Sequence, residues 1–135
     1  MTVQEARKEL RSYLQHVEIR ERRGRRVEEL RAWLYRCPIS KYGHEVGSLN
    51  PYRREELIDK LDKMERKYVA AVEKSVNLLA MIEEKVERLE GRHYTVLRKK
   101  YIEGLSYEQI AVDMHYTYEH VRKLEGQGVE FYKNL

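Results

Sequence analysis

Residues 106–125 read SYEQIAVDMHYTYEHVRKLE. With Tyr107 as position one, Ile110 falls at four, Ala111 at five, Met114 at eight, Val121 at fifteen and Leu124 at eighteen. This is the spacing of a helix-turn-helix. A small Ala111 lets two helices cross closely at a steep angle, the larger apolar residues fill the crossing, and the second helix keeps one face free. Ser106 and Gln109 supply an S-x-x-Q capping box for the first helix. Thr117 is the expected N-cap of the second helix, which begins YEHVRKLE. His115 stands where this corner usually has a left-handed glycine, a conformation that His tolerates at about 1 kcal/mol. Short two-helix corners with an alanine at the crossing also occur as plain structure, so the spacing predicts a geometry before it predicts a use.

Upstream of the corner, residues 92–103 (RHYTVLRKKYIE) place Tyr94, Leu97, Tyr101 and Ile102 on one helical face, and Gly104 is suited to cap that helix. Gly91 is read as the end of a longer helix over residues 52–90. On that helix Leu57, Leu61, Met64, Tyr68, Ala71, Ser75, Leu78, Ile82 and Leu89 recur at steps of three and four, or multiples of them. Ile58, Val72, Leu79 and Val86 widen the stripe, and a face this wide needs covering by partner helices. Residues 2–37 offer one: Val3, Ala6, Leu10, Tyr13 and Val17 share a register, and Val27, Leu30, Leu34 and Cys37 resume in a shifted one beyond the RERRGRR of residues 20–26. Heptad continuity is expected to fail at Gly24. Both prolines, Pro38 and Pro51, bound the one clear loop. The fold class expected is all-α, with a coiled-coil-like helical hairpin over residues 1–90 (loop 38–51) and a small helix-turn-helix domain over 91–135. Val72, Leu79 and Val86 read as exposed and in need of further cover, from a dimer mate or from the C-terminal domain, and a homo-oligomer is expected, a dimer first.

Composition narrows the function classes. The 135 residues carry 27 Lys and Arg against 23 Asp and Glu, a net charge of +4, which permits a nucleic-acid partner without requiring one. No apolar run reaches the roughly 18 residues of a membrane span, the start MTVQEARKEL lacks a signal-peptide core, and a lone Cys37 makes no internal disulfide. A cytoplasmic protein is expected. Phosphate-binding loops, H-E-x-x-H and C-x-x-C motifs do not occur, Cys37 and His44 are too few for zinc, and His115 and His120 are poorly spaced as ligands. No metal, cofactor or catalytic site is expected, and the chain does not read as an enzyme.

The stretch from Val96 to Leu135 resembles the fourth conserved region of bacterial sigma factors, and more closely the sigma-like C-terminal domain of phage and prophage regulators of the ArpU/RinA type, many of which also have a long charged helical N-terminal half. The resemblance implies that the helix from Thr117 is a recognition helix. It places Tyr118, Glu119, Arg122 and Lys123 toward a major groove and Thr117 and His120 near phosphates. The residues agree in chemistry: Arg122 can bridge guanine O6 and N7, Lys123 can do so less rigidly, and Glu119 can accept from cytosine N4 or simply hold a neighbouring cation. Tyr118 replaces the long basic residue that sigma factors tend to carry there. Arg98 and Lys99, beside Lys100, are candidates to meet the DNA backbone.

Residues 91–135 hold seven basic against six acidic residues, little for a DNA reader. The stronger basic run is Arg20, Arg22, Arg23, Arg25 and Arg26, read either as a solvated face beside Glu18, Glu21, Glu28 and Glu29, or as a secondary nucleic-acid or partner contact. The expected function is that of a sequence-specific transcriptional regulator binding double-stranded DNA, with RNA polymerase as a partner implied by the resemblance alone. Two rivals stay open: a DNA-packaging recognition subunit of the small-terminase type, and a helical protein-binding adaptor that keeps the corner only as structure.

Overall fold

A computed structural model describes residues 1–36 and 50–135. The expected loop, apart from Asn50 and Pro51, lies outside these residues, as do Cys37 and His44. All regular structure among the described residues is helical: α1 (Val3–Arg36), α2 (Pro51–Val86), α3 (Gly91–Leu97), α4 (Tyr107–Met114) and α5 (Tyr118–Lys133). A π-helical turn, Arg98–Ile102, continues α3. The class is all-α, and no helix among the described residues is long and apolar enough to cross a membrane.

Local chemistry starts each helix. At α1, the Thr2 hydroxyl accepts from the Glu5 amide (3.1 Å) and the Glu5 carboxylate from the Thr2 amide (2.9 Å), a reciprocal capping box. At α2, Asn50 Oδ1 accepts from the Arg53 amide (2.8 Å) ahead of a proline whose missing N–H costs nothing at the first helical position.

Two compact units result, Met1–His16 with Lys74–Leu135, and Val17–Glu73. The packing therefore does not follow a division at residue 90. In the first unit, Ala6 and Leu10 of α1 share one core with Ile82 and Val86 of α2, Leu89, Leu97, Tyr101, and Val129 and Tyr132 of α5. The reason is area: the short helices of 91–135 cannot cover their own apolar faces. Each large aliphatic side chain fully buried is worth about 1.5–3 kcal/mol. A second, smaller core of Val96, Ile110, Ala111, Val121 and Leu124 belongs to the corner itself. Val86 is fully buried in the first of these cores, with Leu97, Tyr101, Val129 and Tyr132, so its cover comes from the C-terminal residues, one of the two covers its place on the stripe allowed.

Helix α2 ends at Val86 rather than at Gly91. Two tight turns, Arg88 N to Lys85 O and Leu89 N to Val86 O, fold Leu89 back into the core. Gly91 then takes φ +58° at the start of α3, a conformation open to glycine at little cost.

In the second unit, α1 and α2 run antiparallel, with Val27, Leu34, Leu57 and Ala71 buried. The Arg31 guanidinium bonds Glu28 and Glu65 (2.7 Å each) and Arg54 donates to the Leu34 carbonyl (3.1 Å). Contrary to the sequence expectation, α1 passes through Gly24 without a break. The register is continuous: positions 17, 20, 24, 27, 31 and 34 keep the three-four alternation, with Arg20, Gly24 and Arg31 in places where apolar residues signal a stripe. Gly24 is small because the Tyr68 ring lies on it; a Cβ there would stand 2.9 Å from the ring edge.

Candidate nucleic-acid interface

The corner forms as its spacing predicts. Ser106 Oγ accepts from the Gln109 amide (3.2 Å) while Gln109 Oε1 accepts from the Ser106 amide (2.8 Å). After α4 the chain reverses at His115, which adopts φ 59° and ψ 40°, the left-handed conformation expected there. Thr117 caps α5 by accepting from the His120 amide (3.2 Å). Ile110 and Val121 are fully buried in the crossing, with Ala111 and Leu124 nearly so. Helix α5 runs on to Lys133, well past the eight residues that the capping pattern marks.

Thr117, Tyr118, Glu119, Arg122 and Lys123 are exposed, and His120 is half-buried. All lie on or just before the first two turns of α5. The His120 ring meets Tyr116 edge-on at 4.8 Å. Tyr107 and Tyr118 meet edge-on at 5.8 Å, and the Arg122 guanidinium lies 5.9 Å from the first ring and 5.8 Å from the second. Cation–π contacts of this kind restrict a long side chain without neutralising it. Glu119 makes no ion pair with Arg122 or Lys123 among the described residues, so both cations keep their charge outward.

Arg98 and Lys99 each have an acidic partner within the protein. Arg98 bonds Glu83 of α2 at 3.3 Å, and Lys99 is paired with Asp113 of α4. That pairing raises the Lys99 ammonium above its ordinary pKa and lowers the Asp113 carboxyl. The physical reason is geometric: the π-helical turn points these two side chains back at α2 and α4. Lys100, one residue on, sits over the Tyr107 ring at 4.3 Å. It is the cation of this turn that joins Arg122 on the tyrosine pair. The sequence placed it in the basic cluster with Arg98 and Lys99, and what the sequence did not signal is its contact with the Tyr107 ring. Arg92, over the Tyr116 ring at 5.6 Å, was also missed.

Beneath this surface lies a buried carboxylate. Glu125 of α5 is only 2 % exposed. It accepts from Arg7 Nε (3.2 Å) and Nη2 (3.0 Å) and from the Tyr101 hydroxyl (2.6 Å). The fork geometry satisfies a charge that would be costly alone. It ties the recognition-helix candidate to the first turns of α1. Burial first, and then the Glu125 carboxylate, raise the Tyr101 phenol well above its ordinary range.

Arg22, Arg23, Arg25 and Arg26 are exposed in the second unit. Arg23 donates to the Lys67 carbonyl at 3.3 Å. Among the described residues no three His, Cys, Asp or Glu side chains converge as a metal site needs. Compared with models of known families, with characterised proteins and with solved structures, the chain matches none.

Proposed function

We propose that the protein is a sequence-specific DNA-binding transcriptional regulator of the phage or prophage type, reading the major groove with the first two turns of α5. One observation carries the reading: Arg122 and Lys123 stand exposed on the face opposite buried Val121 and Leu124, behind a capped corner. Such a face suits a groove, where Arg122 can bridge a guanine edge and each good bidentate contact discriminates by about 1–3 kcal/mol. Tyr107 and Tyr118 limit the sweep of Arg122, so less conformational entropy is lost on binding. Thr117 still has its hydroxyl proton to give to a phosphate while its oxygen caps the helix. Contact with RNA polymerase and a cytoplasmic site of action belong to the same proposal and rest on the resemblance.

The test is selection of sheared DNA from the source replicon on purified protein, followed by sequencing, with Arg122→Ala/Lys123→Ala as control. The expected result is enrichment of an intergenic segment by the wild type alone, with unchanged far-ultraviolet circular dichroism in the variant. Equal enrichment by the variant overturns the groove assignment. The adaptor reading has one observation in its favour, the pairing of Arg98 and Lys99 within the protein. Failure to bind any DNA at about 50 mM salt, where electrostatic binding is strong, selects it.

A further inference from the structure

The second unit holds a feature that DNA reading leaves unused. Within Val17–Glu73, a groove of about 600 Å³ runs along one side of the α1–α2 pair. Four cations, Arg23, Arg26, Lys60 and Lys67, line it against one carboxylate, Glu29, with Leu30 and Met64 among them. Leu30 and Met64 are only half-buried. The two helices leave these apolar side chains half-covered, and a third helix laid in the groove is the shape that completes their cover. Trp33, the only tryptophan in the chain, is 48 % exposed. It stands three residues beyond Leu30 and seven beyond Arg26, on the same face of α1. The bond from Arg23 to the Lys67 carbonyl joins the two helices at this groove.

We infer that this groove binds an acidic amphipathic helix of a partner protein. Apolar side chains of that helix lie on Leu30, Met64 and Trp33, and its flanking carboxylates face Arg26, Lys60 and Lys67. The apolar residues decide between polyanions. A phosphate backbone offers nothing to Leu30, Met64 and an exposed indole, whereas a helix with Leu on one face and Glu beside it satisfies both parts. Charge also decides against the same groove of a second copy, because that pairing sets cations against cations.

The full-length protein is titrated with a synthetic peptide of about 18 residues, long enough for about five helical turns. It has Leu at i, i+3, i+4 and i+7, Glu beside them and no aromatic residue. Trp33 emission and the anisotropy of labelled peptide report binding. The expected result is a saturable blue shift of Trp33 that weakens with salt. Affinity falls at least about tenfold, or about 1.4 kcal/mol, in Arg26→Glu/Lys60→Glu and in Leu30→Asp. In Arg122→Ala/Lys123→Ala it is unchanged, which separates this site from the proposed DNA reader. Arg26→Gln/Lys60→Gln serves if the charge reversal disturbs folding by circular dichroism. The inference is overturned by the absence of a shift, by equal binding of a scrambled peptide of the same composition, or by duplex DNA producing the shift and displacing the peptide. It is also overturned if light scattering shows that the reversal dissociates an oligomer while the wild type ignores the peptide.

Discussion

Glu125 shows how one buried charge organises its surroundings. It accepts three hydrogen bonds, two from Arg7 and one from Tyr101, so each donor lost leaves part of a carboxylate unsatisfied in a dry place. Tyr101→Phe removes one donor at constant shape and is expected to cost about 1–2 kcal/mol; Arg7→Ala leaves the charge uncompensated and costs about 2–4 kcal/mol, reduced from a fully buried pair because Arg7 is partly solvated. Urea unfolding of the two variants and their double mutant measures both terms and their coupling. Tyr101 also sets an alkaline limit. Burial raises its phenol in the folded state, and burial raises Tyr107 in the same direction. The unfolded chain therefore releases protons first, from about pH 10 upward. The stability contributed by these groups is complete below that pH and is lost as pH rises toward the folded values. Tyrosinate absorbance is expected to rise together with unfolding, and a titration of these two phenols in a still-folded chain contradicts the assignment. Nothing local in the sequence announces Glu125: it sits between Leu124 and Gly126 of an amphipathic helix, two residues from the exposed Lys123, and its partners are 118 and 24 residues away.

At the scale of elements, glycines of one helix have opposite meanings. On α5, a Cβ at Gly126 meets nothing within 4 Å, whereas at Gly128 it would meet Leu97 of α3 at 3.1 Å. Gly126→Ala is expected to stabilise by about 0.5–1 kcal/mol through helix propensity and a less flexible unfolded chain. Gly128→Val forces α5 away from α3 and is expected to cost about 1–3 kcal/mol. Thermal unfolding of the two variants separates the roles. The helix caps were legible because they act within three residues: Ser106 with Gln109, and Thr117 with the His120 amide, needed no distant partner. The corner was legible for the same reason. The course of α1 through Gly24 was not, because Arg20, Gly24 and Arg31 hold positions of a continuous register with side chains that hide it. Only the Tyr68 ring across the pair explains the missing side chain at residue 24.

On the scale of the whole molecule, the candidate DNA-binding helices depend on chain far from them in sequence. Ala6 and Leu10 contribute to the core that holds Leu97, Tyr101, Val129 and Tyr132. Deleting residues 1–16 is expected to lower the unfolding midpoint of the first unit sharply and to abolish its near-ultraviolet circular dichroism. Retention of a cooperative transition by a 91–135 fragment alone contradicts that dependence. The sequence by itself determined the helical class, the capped corner and the outward face of α5, since periodicity, turn residues and caps are short-range and act through the backbone. Tertiary structure alone decided that Arg98 and Lys99 are held by Glu83 and Asp113, that Lys100 and Arg122 share a tyrosine pair, and that residues 1–16 belong with the corner. Those outcomes turn on which side chains meet across helices, and a linear pattern carries the face of each helix but not the identity of what is laid against it.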